Sequence, residues 1–137
     1  MKVLEQDLRH TESFCGTYRN IEFEIKKIHH PNERSHPFAW CHYIILDSCN
    51  CNNFDSHLEM AGSYEHGKLD SIEFNGGITY CEKLYTNFDG EPCLRGIKVG
   101  CDYSHLWDLQ EFKPKELGSI VYRVKATIDS AYNIGVL

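Results

Sequence analysis

The stretch AWCHYIIL, residues 39–46, decides the fold. Aromatic and β-branched side chains fill both of its faces, so it reads as a strand at the centre of a sheet, covered on both sides. Toward the N-terminus, residues 20–28 alternate Ile21, Phe23 and Ile25 against Glu22, Glu24 and Lys26. That is the period of a half-buried strand. Residues 29–37 (HHPNERSHP), with their prolines, join the two as a surface hairpin connection. Residues 1–17 hold only scattered apolar positions, Val3, Leu4, Leu8 and Phe14, and read as an N-terminal arm or a short helix.

Toward the C-terminus, residues 47–68 lack a sustained period and read as a long loop. Residues 69–74 and 78–84 read as strand segments meeting across Asn75-Gly76-Gly77, where a bulge or kink accounts for the glycines. The Asp89-Gly90 and Pro92 content marks 87–92 as a turn, and 94–101 returns as a strand. The end of the chain is a helix: Leu117, Ile120, Val121, Val124, Ile128, Ala131 and Tyr132 recur at three- and four-residue steps, with Ser119 as N-cap and Gly135 at the stop. Such a stripe has to be buried, and a sheet face is the surface large enough to bury it. The expected fold class is α+β, a small antiparallel β-sheet with the C-terminal amphipathic helix packed on one face. At 137 residues the chain reads as one domain, 1–137, with its core in 18–135.

Composition excludes some functions. Twenty acidic residues against fourteen basic ones give a net charge of -6, which repels duplex nucleic acid. The apolar runs are too short to span a bilayer and the start MKVLEQDLRH has no signal-peptide core, so neither a membrane nor secretion is expected and the protein reads as cytoplasmic. Seven cysteines, an odd number, then point to free thiols. Cys41, Cys81 and Cys101 read as core residues, and Cys49, Cys51 and Cys93 as loop residues. Cys49 and Cys51 with His57 and His66 lack the paired spacing of structural zinc sites, so no metal and no cofactor is expected there. His42, inside the central strand, reads as a hydrogen-bonded core histidine.

The chemistry concentrates in two patches: Asn75-Gly76-Gly77-Ile78-Thr79-Tyr80, and Gly100-Cys101-Asp102-Tyr103-Ser104-His105 followed by Trp107 and Asp108. One shared site is expected. In a binding reading, the backbone at Gly76 and Gly77 and the side chains of Asn75, Thr79 and Asp102 hydrogen-bond a ligand, Tyr80, Tyr85, Tyr103 or Trp107 stacks on it, and His105 and Asp108 belong to the same site. In an enzyme reading, Asp102, His105 and Asp108 form a partial hard-metal, acid–base site for hydrolysing a phosphorylated small molecule. No nucleophile motif or phosphate-cradling loop supports the second. A purely structural reading also stands, because Asp and His commonly cap turns at strand ends.

The succession AWCHYIIL, NGGITY, KVGCDYSHLWD and a closing helix resembles a family of small bacteriophage and prophage proteins that carry a Cys-Gly-Tyr strand, an HGGLTF-like patch and a GFDCAHAGD-like patch. The matching positions are Cys41, Tyr43, Gly76, Gly77, Thr79, Gly100, Asp102, His105 and Asp108. Asn75 stands where the family has His, Tyr103 where it has Cys, and Trp107 where it has a small residue. The resemblance implies a phage or mobile-element accessory protein and brings no reaction with it. The expected activity is counter-defence by binding in the host cytoplasm, either sequestering a nucleotide-derived signal or blocking a host defence protein, with a homo-oligomer compatible with both.

Overall fold

A computed structural model describes residues 11–29, 38–103 and 116–137. Five strands, β1 (Thr11–Tyr18), β2 (Ile21–His29), β3 (Phe38–Leu46), β4 (Tyr80–Phe88) and β5 (Glu91–Asp102), form an antiparallel sheet in the order β1-β2-β3-β5-β4. Helices α1 (Phe54–Met60) and α2 (Leu117–Asn133) and a 3-10 helix (Gly67–Ser71) accompany the sheet among the described residues. The α+β arrangement with a C-terminal helix on the sheet is thus observed. β3 is central, and β2 pairs with it antiparallel; the connection expected at 29–37 falls, from residue 30, outside the described residues.

Among the described residues, one face of β3 lies against the core. Trp40, His42, Ile44 and Leu46 are buried there, whereas on the other face Ile45 is buried and Cys41 and Tyr43 are half-buried. The expected cover on both sides is met in part: among the described residues Ile45 is buried on the far face, while a Tyr43–Tyr80 contact with Lys26 and Lys98, rather than a second layer, shields Tyr43. The core joins Ile21, Ile25, Ile44, Leu46, Ile97 and Val99 of the sheet to Ile120, Val124 and Ile128 of α2. Each fully buried aliphatic side chain contributes about 1.5–3 kcal/mol relative to exposure.

Several element readings change. Residues 11–17 are neither arm nor helix but most of β1, and residues 1–10 lie outside the described residues. Two left-handed residues, Arg19 and Asn20 (φ 50 and 64), make the tight turn that pairs Tyr18 with Ile21. Gly16 then lets the Phe23 ring lie across β1, since a Cβ there would stand 2.8 Å from that ring. Residues 47–68 are not one loop but contain α1, which starts after Asn53 in a left-handed conformation. Residues 69–74 are not a strand. Asp70 bends the chain by accepting the His66 backbone N–H at 2.9 Å, and the 3-10 helix that results buries Leu69, with Ile72 and Phe74 buried beyond it. β4 therefore starts at Tyr80 rather than 78. Gly76 and Gly77 (φ 71 and 92) form a turn before it, and the sheet irregularity lies instead between Leu84 and Tyr85.

The 87–92 turn narrows to Asp89-Gly90, both left-handed (φ 50 and 80), as a two-residue hairpin requires. In α2 the N-cap is Glu116, not Ser119, without a side-chain cap. Its end matches the expected stop: Gly135 (φ 79) sends its N–H to Tyr132 O at 3.1 Å and Val136 sends its own to Ala131 O at 2.9 Å. This paired closure satisfies the last carbonyls while Val136 is buried.

Candidate functional site

The two patches meet because α2 straps the first of them down. Glu73 N–H donates to Ser130 Oγ at 2.9 Å, and Thr127 Oγ1 donates to Glu73 O at 2.6 Å. Thr127 and Ser130 interrupt the apolar stripe, and both are buried. Their hydroxyls replace the ladder partners that a non-strand segment lacks. Asn75, held two residues on, donates its Nδ2 to Asp102 O at 3.1 Å. Thr79 N–H donates to Gly100 O at 3.0 Å, and Tyr80 pairs with Gly100. Asn75, Thr79 and Tyr80 thus adjoin Gly100, Asp102 and Tyr103. Ser104, His105, Trp107 and Asp108 lie outside the described residues.

Beneath this junction His42 is fully buried. Its Nδ1 is 2.8 Å from the Tyr103 hydroxyl and its Nε2 is 3.3 Å from Thr127 Oγ1. Because the Thr127 proton goes to Glu73 O, Nε2–H is the donor to Thr127, and Tyr103 donates to Nδ1. Burial, with the Arg123 charge adding to it, lowers the His42 pKa from 6.5 to about 3, so the ring is neutral. His42 is the hydrogen-bonded core histidine expected, and it ties β3, β5 and α2 into one unit.

Two separate clefts flank the junction, and the expected site residues divide between them. Asn75 and Tyr103 line the first, with Glu73, Phe74, Tyr122 and Arg123; its volume is about 220 Å³. The Arg123 guanidinium stands 5.2 Å from the centre of the Tyr103 ring. Thr79 and Tyr80 line the second, of about 220 Å³, on the far side of the turn. Gly76 and Gly77 line neither. Arg123 and Tyr122 escaped the sequence reading because they sit on the polar side of α2, and nothing in helical periodicity separates a site-facing Arg from a solvated one.

The open face of the sheet gathers further residues that the resemblance picks out. Cys41 is the β3 partner of Asp102, and Tyr43 that of Gly100. A Cβ at Gly100 would stand 2.4 Å from the Tyr43 ring, so glycine is what lets that ring lie flat across β5. Tyr80 meets it edge-on at 5.3 Å, and Lys98 Nζ, paired with Glu24 at 2.6 Å, stands 4.5 Å from its centre. Burial raises the Cys41 pKa, which keeps it a thiol rather than a nucleophilic thiolate.

The cysteine assignments change in part: Cys51 lies in the loop between β3 and α1 as expected but is buried, Cys93 lies in β5, and Cys41 is only half-buried. Among the described residues, no three His, Cys, Asp or Glu side chains converge on a point that could hold a metal ion. Nor is any helix among them long and apolar enough to cross a membrane. Compared with protein-family models, curated proteins and solved structures, the chain matches none.

Proposed function

We propose that this chain is a phage or mobile-element accessory protein that acts by binding, and that its counter-defence role is to sequester a nucleotide-derived signal in the first cleft. One observation carries the choice: Arg123 and Tyr103, stacked 5.2 Å apart, stand beside the Asn75 amide in a concave site. A guanidinium takes a phosphate, an exposed tyrosine such as Tyr122 takes a base, and a held amide reads a base edge. At about 220 Å³ the cleft is smaller than the roughly 300 Å³ of enclosing small-molecule pockets, so it grips one group of the ligand and leaves the rest outside. The overall negative charge confines phosphate binding to this local cation rather than to a polyanion track.

Native mass spectrometry of protein purified from cells tests the reading, followed by calorimetric titration with a panel of mononucleotides and cyclic dinucleotides. A retained nucleotide is expected, and Arg123→Ala should weaken its binding by about tenfold or more, the value of one charge-assisted contact. Loss of protection on a defence-bearing host should follow with an unchanged melting temperature. If no nucleotide binds while a host protein co-purifies stoichiometrically, the chain blocks a defence protein and the sequestration reading fails.

A further inference from the structure

The second cleft carries chemistry of a different kind. The chain after α1 folds back onto the edge of β4, where Gly62 N–H donates to Cys81 O at 2.7 Å. The cleft so formed is lined by Ser63, Tyr64, His66, Thr79, Tyr80 and Glu82 among others. His66 is the residue with the most to explain. Its side chain is only 8% exposed, yet it belongs to a segment of otherwise exposed residues.

Asp70 holds it from behind. One carboxylate oxygen lies 3.0 Å from His66 Nδ1 and the other accepts the His66 backbone N–H at 2.9 Å. That pairing fixes the proton of the neutral ring on Nδ1 and leaves the Nε2 lone pair as the acceptor. Nε2 has no hydrogen-bond partner among the described residues, and with Nδ1 taken up by Asp70 it is the polar atom His66 has left for an occupant of the cleft. A nearly buried acceptor without a partner is a costly feature to retain.

The surroundings decide what the occupant is. Glu82 adds a carboxylate that makes no ion pair among the described residues, Ser63 and Thr79 add hydroxyls, and Tyr80, 41% exposed, adds an aromatic face. Among the described residues, no lysine or arginine lines the cleft. Acceptors, one carboxylate and an aromatic ring together favour a donor-rich cation and repel an anion.

We propose that this cleft is a binding site for a small organic cation, a guanidinium or primary ammonium group, with His66 Nε2 and Glu82 as its acceptors and Tyr80 as its stacking wall. Asp70 is a positioning residue: it sets the tautomer and ring orientation without touching the cation. The site is independent of the nucleotide cleft, and either proposal can fail without the other.

Agmatine, which carries both cationic groups, is the probe. Titration of the full chain should give saturable binding, with the His66 imidazole nitrogen resonances shifting and His66 protected from carbethoxylation. Glu82→Gln, on an exposed strand position, should weaken binding by about tenfold, in line with loss of one charge-assisted hydrogen bond. Asp70→Asn should weaken it severalfold; if that variant fails to fold, the nitrogen shifts of the unmodified protein still report the tautomer. Non-saturable binding, an affinity unchanged by Glu82→Gln, or a His66 proton found on Nε2 would each overturn the proposal.

Discussion

At His42, one buried side chain couples stability to pH. A histidine whose pKa falls from 6.5 to about 3 on folding stays neutral in the native state, while the unfolded chain takes up a proton below 6.5. Its contribution is therefore complete above pH 6.5 and is lost as pH falls toward 3, at roughly 1.4 kcal/mol per pH unit. Burial lowers the His57 pKa as well, so its contribution runs in the same direction. Urea unfolding between neutral and mildly acid pH should give this slope, and His42→Gln should flatten it. A flat profile in the unmodified protein would mean that the ring is solvated. Tyr103→Phe leaves Nδ1 without its donor and should cost about 1–3 kcal/mol, as for any buried acceptor left unmet.

At the scale of elements, α2 does two jobs with one face. Its aliphatic stripe covers the sheet, and Val124 is fully buried there. Val124→Asp places a charge in that contact and should destabilise by roughly 3–5 kcal/mol, the cost of an uncompensated buried charge. An unchanged melting temperature would mean that the helix is not docked. The two hydroxyls on the same face act on the site instead. Ser130→Ala removes the acceptor of Glu73 N–H, with an expected loss of about 1–3 kcal/mol. Because the strap positions Asn75, nucleotide binding should weaken more than the fold does, which calorimetry beside thermal melting would separate.

Across the whole molecule, burial sorts the seven cysteines, all of them free, into reactivity classes. Cys15, Cys49 and Cys93 are exposed and should be alkylated in the native protein. Burial pushes the pKa of Cys51 and Cys81 up to about 11 and that of Cys101 up to about 12, so these three should react only when the chain unfolds. Cys41, half-buried on the open face, should fall between. Mass mapping of timed alkylation checks this, and a single common rate would contradict the core assignment. The hairpin of β4 and β5 runs past β3, leaving Tyr85, Phe88 and Leu94 exposed at its far end.

By itself the sequence determined the elements whose side chains carry a clear period and whose ends carry a chemical stop. β2 is legible from Ile21, Phe23 and Ile25, β3 from its aromatic and β-branched run, the hairpin from Asp89-Gly90, and the end of α2 from Gly135. Each of these depends on contacts within a few residues, so local pattern suffices. The tertiary structure alone decided the rest. Residues 11–17 are a strand because β2 offers them an edge, and residues 69–74 are not one because Asp70, Thr127 and Ser130 satisfy their backbone first. For the site, the closeness of Asn75 and Thr79 to Gly100 and Asp102 followed from reading a hairpin. Its division into two clefts did not, because Arg123 enters one from α2 and His66 enters the other from the residue that precedes the 3-10 helix. Those side chains are brought in by packing across the chain, and a linear pattern holds no record of which distant face they will meet.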